Sequence, residues 1–174
     1  MKKNKSKKNT RREFLKYSSI AATGFFIVPR HVLGGNGYQA PSDSINIGGI
    51  GVGGKGTSDI WNASVEGKEN VIALCDVDKG EISAKSRERF PKANFYQDYR
   101  EMLDKEKDLD ALTISTPDHM HAIQALAAMD RGINVYVQKP LTHNIREARM
   151  LTETAIEKKI VTQMGNQGAS NSGM

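Results

Sequence analysis

From residue 45 onward, short apolar runs alternate with stretches of helical spacing. The runs are INIGGIG (45–51), NVIALCDV (70–77), NFYQD (94–98), LDALTIST (109–116), INVYVQ (133–138) and IVTQMG (160–165), each read as a strand. Between them lie KGTSDIWNASVEG (55–67), KGEISAKSRERF (79–90), YREMLDKEKD (99–108), DHMHAIQALAAMDRG (118–132) and NIREARMLTETAIEKK (144–159), read as helices. The first of these is closed by Gly67, and the fourth places Ala122, Ile123, Ala125, Leu126 and Met129 on one face, with Gly132 as its stop. In the last, Asn144 and Glu147 occupy capping-box positions. Six short apolar strands separated by helices call for an α/β fold with a doubly wound parallel sheet, covered on both faces.

Charge separates the chain into two parts. Of its 25 Lys/Arg and 20 Asp/Glu, residues 1–40 hold nine and one, a net of +8. Residues 41–174 hold the other 16 and 19, a net of −3, so the body carries no nucleic-acid footprint. The single cysteine, Cys75, excludes an intrachain disulfide. In the basic leader, the charged MKKNKSKKNTRREFLK (1–16) precedes the uncharged, moderately apolar YSSIAATGFFIVP (17–29). That run is too short for a stable membrane span, which needs about 20 residues, and has the layout of an export signal. TRREFLK resembles the twin-arginine motif, with Arg11 and Arg12 as the pair. The competing reading is a plain basic tail. Residues 1–40 are therefore expected to be a twin-arginine (Tat) signal and linker, engaging the Tat export machinery and directing the protein to the periplasm. Cleavage is expected after VLG (32–34) or YQA (38–40).

The body's chemistry gathers at strand ends. GVGGKG places Gly51, Gly53 and Gly56 in G-x-G-x-x-G, with Gly54 inside the loop. The motif alone is weak, but here it follows a strand, opens a helix and leads to a second strand ending on Asp76, 25 residues after Gly51. Such a loop lets a backbone approach a pyrophosphate at a helix N-terminus. A carboxylate at Asp76 accepts ribose hydroxyls and repels a 2′-phosphate, which favours NAD. Lys55 or Lys79 nearby leaves NADP open, and Asp78 could share the role of Asp76. The fourth strand ends in Thr116 and Pro117, followed by Asp118, His119 and His121. One His-x-His is poor support for a metal site, so none is expected; His121 reads better as a residue that positions others. The fifth strand ends in Gln138-Lys139-Pro140, and the proline holds Lys139 extended, at the edge of the cleft. A solvated strand-end lysine is the competing reading.

GIGVGGKG, CDVD, TPDHMHA and QKPLTH, in this order, resemble the Gfo/Idh/MocA family of NAD(P)-dependent oxidoreductases across residues 45–168. The resemblance implies a Rossmann domain (44–165), then an α/β substrate domain that begins near 166–174 and is absent from this chain. It implies hydride exchange between nicotinamide and a sugar or cyclitol. It also implies a cofactor site drawn from Gly51, Gly53, Gly54, Gly56, Asp76, Thr116, Pro117, His121, Gln138, Lys139 and Pro140, with Lys139 and His121 as the catalytic group. The family's glutamate-lysine-proline motif falls on Gln138, Lys139 and Pro140; the neutral Gln138 should make Lys139 titrate lower, if the two side chains come close. Three readings stay open: an oxidoreductase half, a redox-neutral glycoside hydrolase of the same family, and an inactive NAD-binding fragment. Homo-oligomerisation of a longer protein is also left open.

Overall fold

The structure, a computed structural model, describes residue 40 and residues 43–170. The expected export signal lies outside the described residues. A compact unit begins at Ser44. It contains six strands, β1 (Asn46–Ile50), β2 (Asn70–Cys75), β3 (Asn94–Tyr96), β4 (Ala111–Ile114), β5 (Asn134–Gln138) and β6 (Thr162–Gly165). Five helices alternate with them: α1 (Lys55–Ala63), α2 (Glu81–Arg89), α3 (Tyr99–Lys105), α4 (Asp118–Met129) and α5 (Ile145–Lys158).

The strands form one sheet in the order β3-β2-β1-β4-β5-β6, and every neighbouring pair is parallel. Parallel neighbours need long crossovers, and the helices supply them. The apolar positions of β1 and β2 divide between two clusters, and those of β4 and β5 fall in one of them. Ile47, Val52, Val71 and Leu74 pack with Ile60 of α1 and Phe90 beyond α2. Ile50, Ala73, Leu112, Ile114, Val135 and Val137 pack with residues of α3, α4 and α5. This is the doubly wound Rossmann arrangement expected from the alternation of runs, with β1 and β4 at the centre where the strand order reverses.

Two local readings change. Helix α1 ends at Ala63 rather than at Gly67. Ser64 stops it: its hydroxyl donates to the Trp61 carbonyl at 2.8 Å and accepts the Gly67 N–H at 3.0 Å. Val65 and Glu66 take φ of 50° and 58° in the resulting turn, a conformation unusual for a β-branched residue. In α4 the buried face is His121, Ala122, Gln124, Ala125, Ala128 and Met129, whereas Ile123 is exposed. Two polar side chains occupy places that an apolar count assigns elsewhere, because each finds hydrogen-bond partners inside. The capping position in α5 holds: the Glu147 N–H donates to Asn144 Oδ1 at 3.0 Å. The Glu147 carboxylate reaches back to the His143 N–H instead of the cap's own amide.

Candidate functional site

The first crossover leaves β1 for α1 on one face, and β4 leaves for α4 on the other. A crevice must open between their carboxyl ends. A cleft of about 590 Å³ lies there, lined by Gly51, Gly53, Gly54, Asp76, Thr116 and Pro117 among others. The glycine loop, the β2 acid and the β4 end therefore meet in one place, as their spacing in the chain implied.

The loop's backbone explains its glycines. Gly51 has φ of 73°, and a Cβ on it would lie 2.7 Å from the Ser115 carbonyl oxygen. A Cβ on Gly56 would lie 1.7 Å from the Gly51 carbonyl oxygen, so α1 can cross β1 this closely only through a glycine. Gly54 differs: a Cβ there would meet nothing within 4 Å, and its φ is 50°. No side chain caps the N-terminus of α1. The N-terminus of this nine-residue helix, with Gly54 in the cleft's lining, thus has no side-chain cap; the Gly56 N–H donates to the Gly53 carbonyl at 2.8 Å, and the positive end of the helix dipole lies beside the cleft. A dinucleotide's diphosphate fits this cradle.

Asp76 stands across from it. Its Oδ2 accepts the Gly53 N–H at 3.0 Å and its Oδ1 the Asp78 N–H at 3.0 Å. A carboxylate has about four acceptor sites, so capacity remains for ribose hydroxyls. Asp78 lies outside the lining of the cleft, and its carboxylate accepts the Gly80 N–H. Lys55, one of the two candidates for a 2′-phosphate, pairs with Asp59. Asp59 in turn binds Ser115 and Gln138, at the ends of β4 and β5. Because β1 separates β2 from β4, Lys55 is engaged on the far side of the sheet's centre from Asp76. Beyond β3, Asp98 and Arg100 line the cleft. The Arg100 side chain bonds to Asp98 and holds its carboxyl below the ordinary value.

The other expected site residues are placed differently from one another. His121 is wholly buried. Its Nδ1 lies 2.6 Å from the Pro140 carbonyl oxygen and its Nε2 2.8 Å from that of Thr116. A neutral imidazole carries one N–H, so one nitrogen donates to its carbonyl while the other lies against an acceptor, and the ring packs between the end of β4 and the turn after β5. Buried and outside the lining of the cleft, His121 is placed to position the strand ends. Gln138 is also buried. Its Nε2 donates to Asp59 Oδ2 at 2.9 Å, and its Oε1 accepts the Lys139 backbone N–H at 2.8 Å. The side chain points inward, its amide committed to Asp59 and to the backbone N–H of Lys139. Lys139 and Pro140 are exposed beyond β5, joined by a cis peptide bond, and stand outside the lining of the main cleft. Thr116 lines the cleft and donates to Gln124 Oε1 at 2.7 Å.

Asp59 and Ser115 escaped the sequence reading. A signal was present: Asp59 follows Gly56 by three residues and so shares its sheet-facing side of α1.

Residues 45–166 match the family described as "Oxidoreductase family, NAD-binding Rossmann fold" (GFO_IDH_MocA). A glycosyl hydrolase family 109 protein of Solibacter usitatus is 32% identical over 161 residues, an overlap of 85% of this chain and 36% of that protein. Myo-inositol 2-dehydrogenase from Lactobacillus plantarum superposes with a TM-score of 0.66 at 21% identity, covering 74% of this chain and 38% of that one. The WlbA (WbpB) dehydrogenase from Thermus thermophilus, solved with NAD and UDP-GlcNAcA, gives a TM-score of 0.64 at 23% identity, over 74% and 43% of the two chains. The chain thus spans little more than a third of the length of its curated relative.

Cys75 borders the cleft but is buried, and burial pushes its thiol up to about 12, with the charges of Asp76 and Asp98 adding to the effect. The thiolate is the reactive form. Iodoacetamide at mildly alkaline pH should leave Cys75 unmodified in the native chain and label it after denaturation, as read by mass spectrometry. Rapid labelling of the native chain would contradict this placement.

Proposed function

Since this chain belongs to the Gfo/Idh/MocA oxidoreductase family and carries its NAD-binding Rossmann domain, we propose that it is the nucleotide-binding part of an exported enzyme that oxidises a sugar or cyclitol hydroxyl. The observation that carries the reading is the open first turn of α1 at Gly54, set across the cleft from Asp76. Bound NAD supplies the hydride acceptor. The chain's own residues do the rest of the nucleotide's work. The loop amides and the N-terminus of α1 hold the diphosphate. Asp76 accepts the adenosine ribose hydroxyls, and its charge disfavours a 2′-phosphate. Thr116 and Pro117 close the cleft on the β4 side. Lys139, projecting from the end of β5, takes up the proton that leaves the substrate hydroxyl. The other partners of that step lie in the substrate domain that the family resemblance implies.

The test is Lys139→Ala in the longer enzyme. Turnover should fall by about 1,000-fold or more while NAD affinity changes by less than about 3-fold. Retained turnover would remove Lys139 from the chemistry. The family 109 relative favours a second reading, glycoside cleavage with no net redox change. Net NADH formation from a free sugar supports the first reading; glycoside cleavage without it supports the second.

Export rests on the Arg11-Arg12 pair and the apolar run behind it. A reporter fused to residues 1–45 should reach the periplasm, and changing both arginines to lysine should retain it in the cytoplasm. Export that survives the double change would exclude the twin-arginine route.

A further inference from the structure

Asp59 is a carboxylate with a side chain only 2% exposed, set beneath the glycine loop. A buried carboxylate is costly unless it is paired and hydrogen-bonded. Its three partners come from three elements: the Lys55 ammonium on α1, the Ser115 hydroxyl beyond β4, which donates to Oδ2 at 2.8 Å, and the Gln138 amide on β5, which donates to Oδ2 at 2.9 Å. The other end of the Gln138 amide accepts the backbone N–H of Lys139 at 2.8 Å. The amide can face only one way, because turning it over would set its oxygen against the carboxylate and its NH2 against the Lys139 N–H.

We infer that Asp59 is the positioning residue of this site and that Gln138 is its matched partner: the carboxylate locks the first turn of α1 to the ends of β4 and β5, and through Gln138 it holds the backbone of Lys139. Its functional consequence rests on the NAD-dependent reading above; the pairing itself does not. The pairing accounts for the departure at position 138. A glutamate there would bring two carboxylates within hydrogen-bond distance inside the protein, and one of them would have to take up a proton. The residue before the lysine is thus set by what α1 places beneath it. The ionisable groups that sense Asp59 are Lys55 on its own helix and the Tyr136 phenol on β5. Burial, with the Asp59 charge, raises Tyr136 above its ordinary value, so it stays neutral between about pH 5 and 8.

A double-mutant cycle on the 174-residue chain tests the pair. Wild type, Asp59→Asn, Gln138→Glu and the double variant are compared by NAD calorimetry and by thermal midpoint between about pH 5 and about pH 8. In Gln138→Glu one carboxyl is raised by the other, so stability present at the acid end is lost as pH rises through the raised value. Its midpoint should fall across the interval, and NAD binding at the upper end should weaken by about 10-fold or more. The double variant restores a donor opposite an acceptor. Its affinity should return to within about 3-fold of wild type, with a pH-flat midpoint. Should Gln138→Glu not fold at the upper pH, the double variant still carries the test, because it must fold there. A flat midpoint and wild-type affinity for Gln138→Glu, or a double variant no better than Gln138→Glu, overturns the inference. Wild-type chain that binds no NAD defeats the proposed function instead, and the midpoints still judge the pair.

Discussion

Helix α1 crosses β1 so closely that a single methyl group at Gly56 would sit 1.7 Å from the Gly51 carbonyl oxygen. The rest of the site depends on that approach. It brings the first turn of α1 over the sheet's centre, beside the point where strand order reverses. There the loop can meet Asp76 from one neighbouring strand and Ser115 from the other, with Gly53 N–H donating to Asp76 and Gly51 N–H donating to the carbonyl of Cys75. A bulkier residue would lift the helix and open all of these contacts together. Close-packed interiors do not absorb such a shift by continuous deformation.

Two kinds of polar contact then hold the strand ends around the cleft, and neither needs solvent. On the α1 side, Asp59 gathers Lys55, Ser115 and Gln138. On the α4 side, the His121 ring lies between the carbonyls of Thr116 and Pro140, its one N–H donating to one of them. Both span the gap between β4 and β5, one on each face of the sheet. Lys139 stands on the strand end between them, its backbone bound by Gln138 and its cis-linked neighbour Pro140 set against His121. The proton transfer proposed for Lys139 would need a fixed origin more than a fixed side chain, since its four-carbon stem is flexible. These two bridges supply that origin.

The sequence was legible where burial and backbone conformation leave a pattern. Six apolar runs became six strands, with ends shortened by a few residues where turns begin, and the glycine loop and Asp76 met across one cleft. Side-chain direction was less legible. Spacing puts Ile123 on the buried face of α4, whereas the face that is buried takes in His121 and Gln124 and leaves Ile123 exposed, because a count of apolar residues cannot see that carbonyls and hydroxyls inside will satisfy polar ones. Gln138 was read as a neighbour of the lysine's charge, whereas a partner 79 residues away turns it inward. The three-residue step from Gly56 puts Asp59 on the sheet-facing side of α1, but a lone acid on a helix is usually solvated, and the chain order does not show its partners. Its burial becomes intelligible only when three elements converge on it.

Everything gathered at these strand ends serves a cleft between the α1 N-terminus and Asp76 that is shaped to hold NAD and to disfavour a 2′-phosphate. Calorimetric titration of the 174-residue chain with NAD and with NADP tests it most directly. The account predicts saturable one-to-one binding of NAD, with NADP weaker by about 10-fold or more, and that difference collapsing in Asp76→Ser. No NAD binding, or equal affinity for the two nucleotides with Asp76 intact, would contradict it.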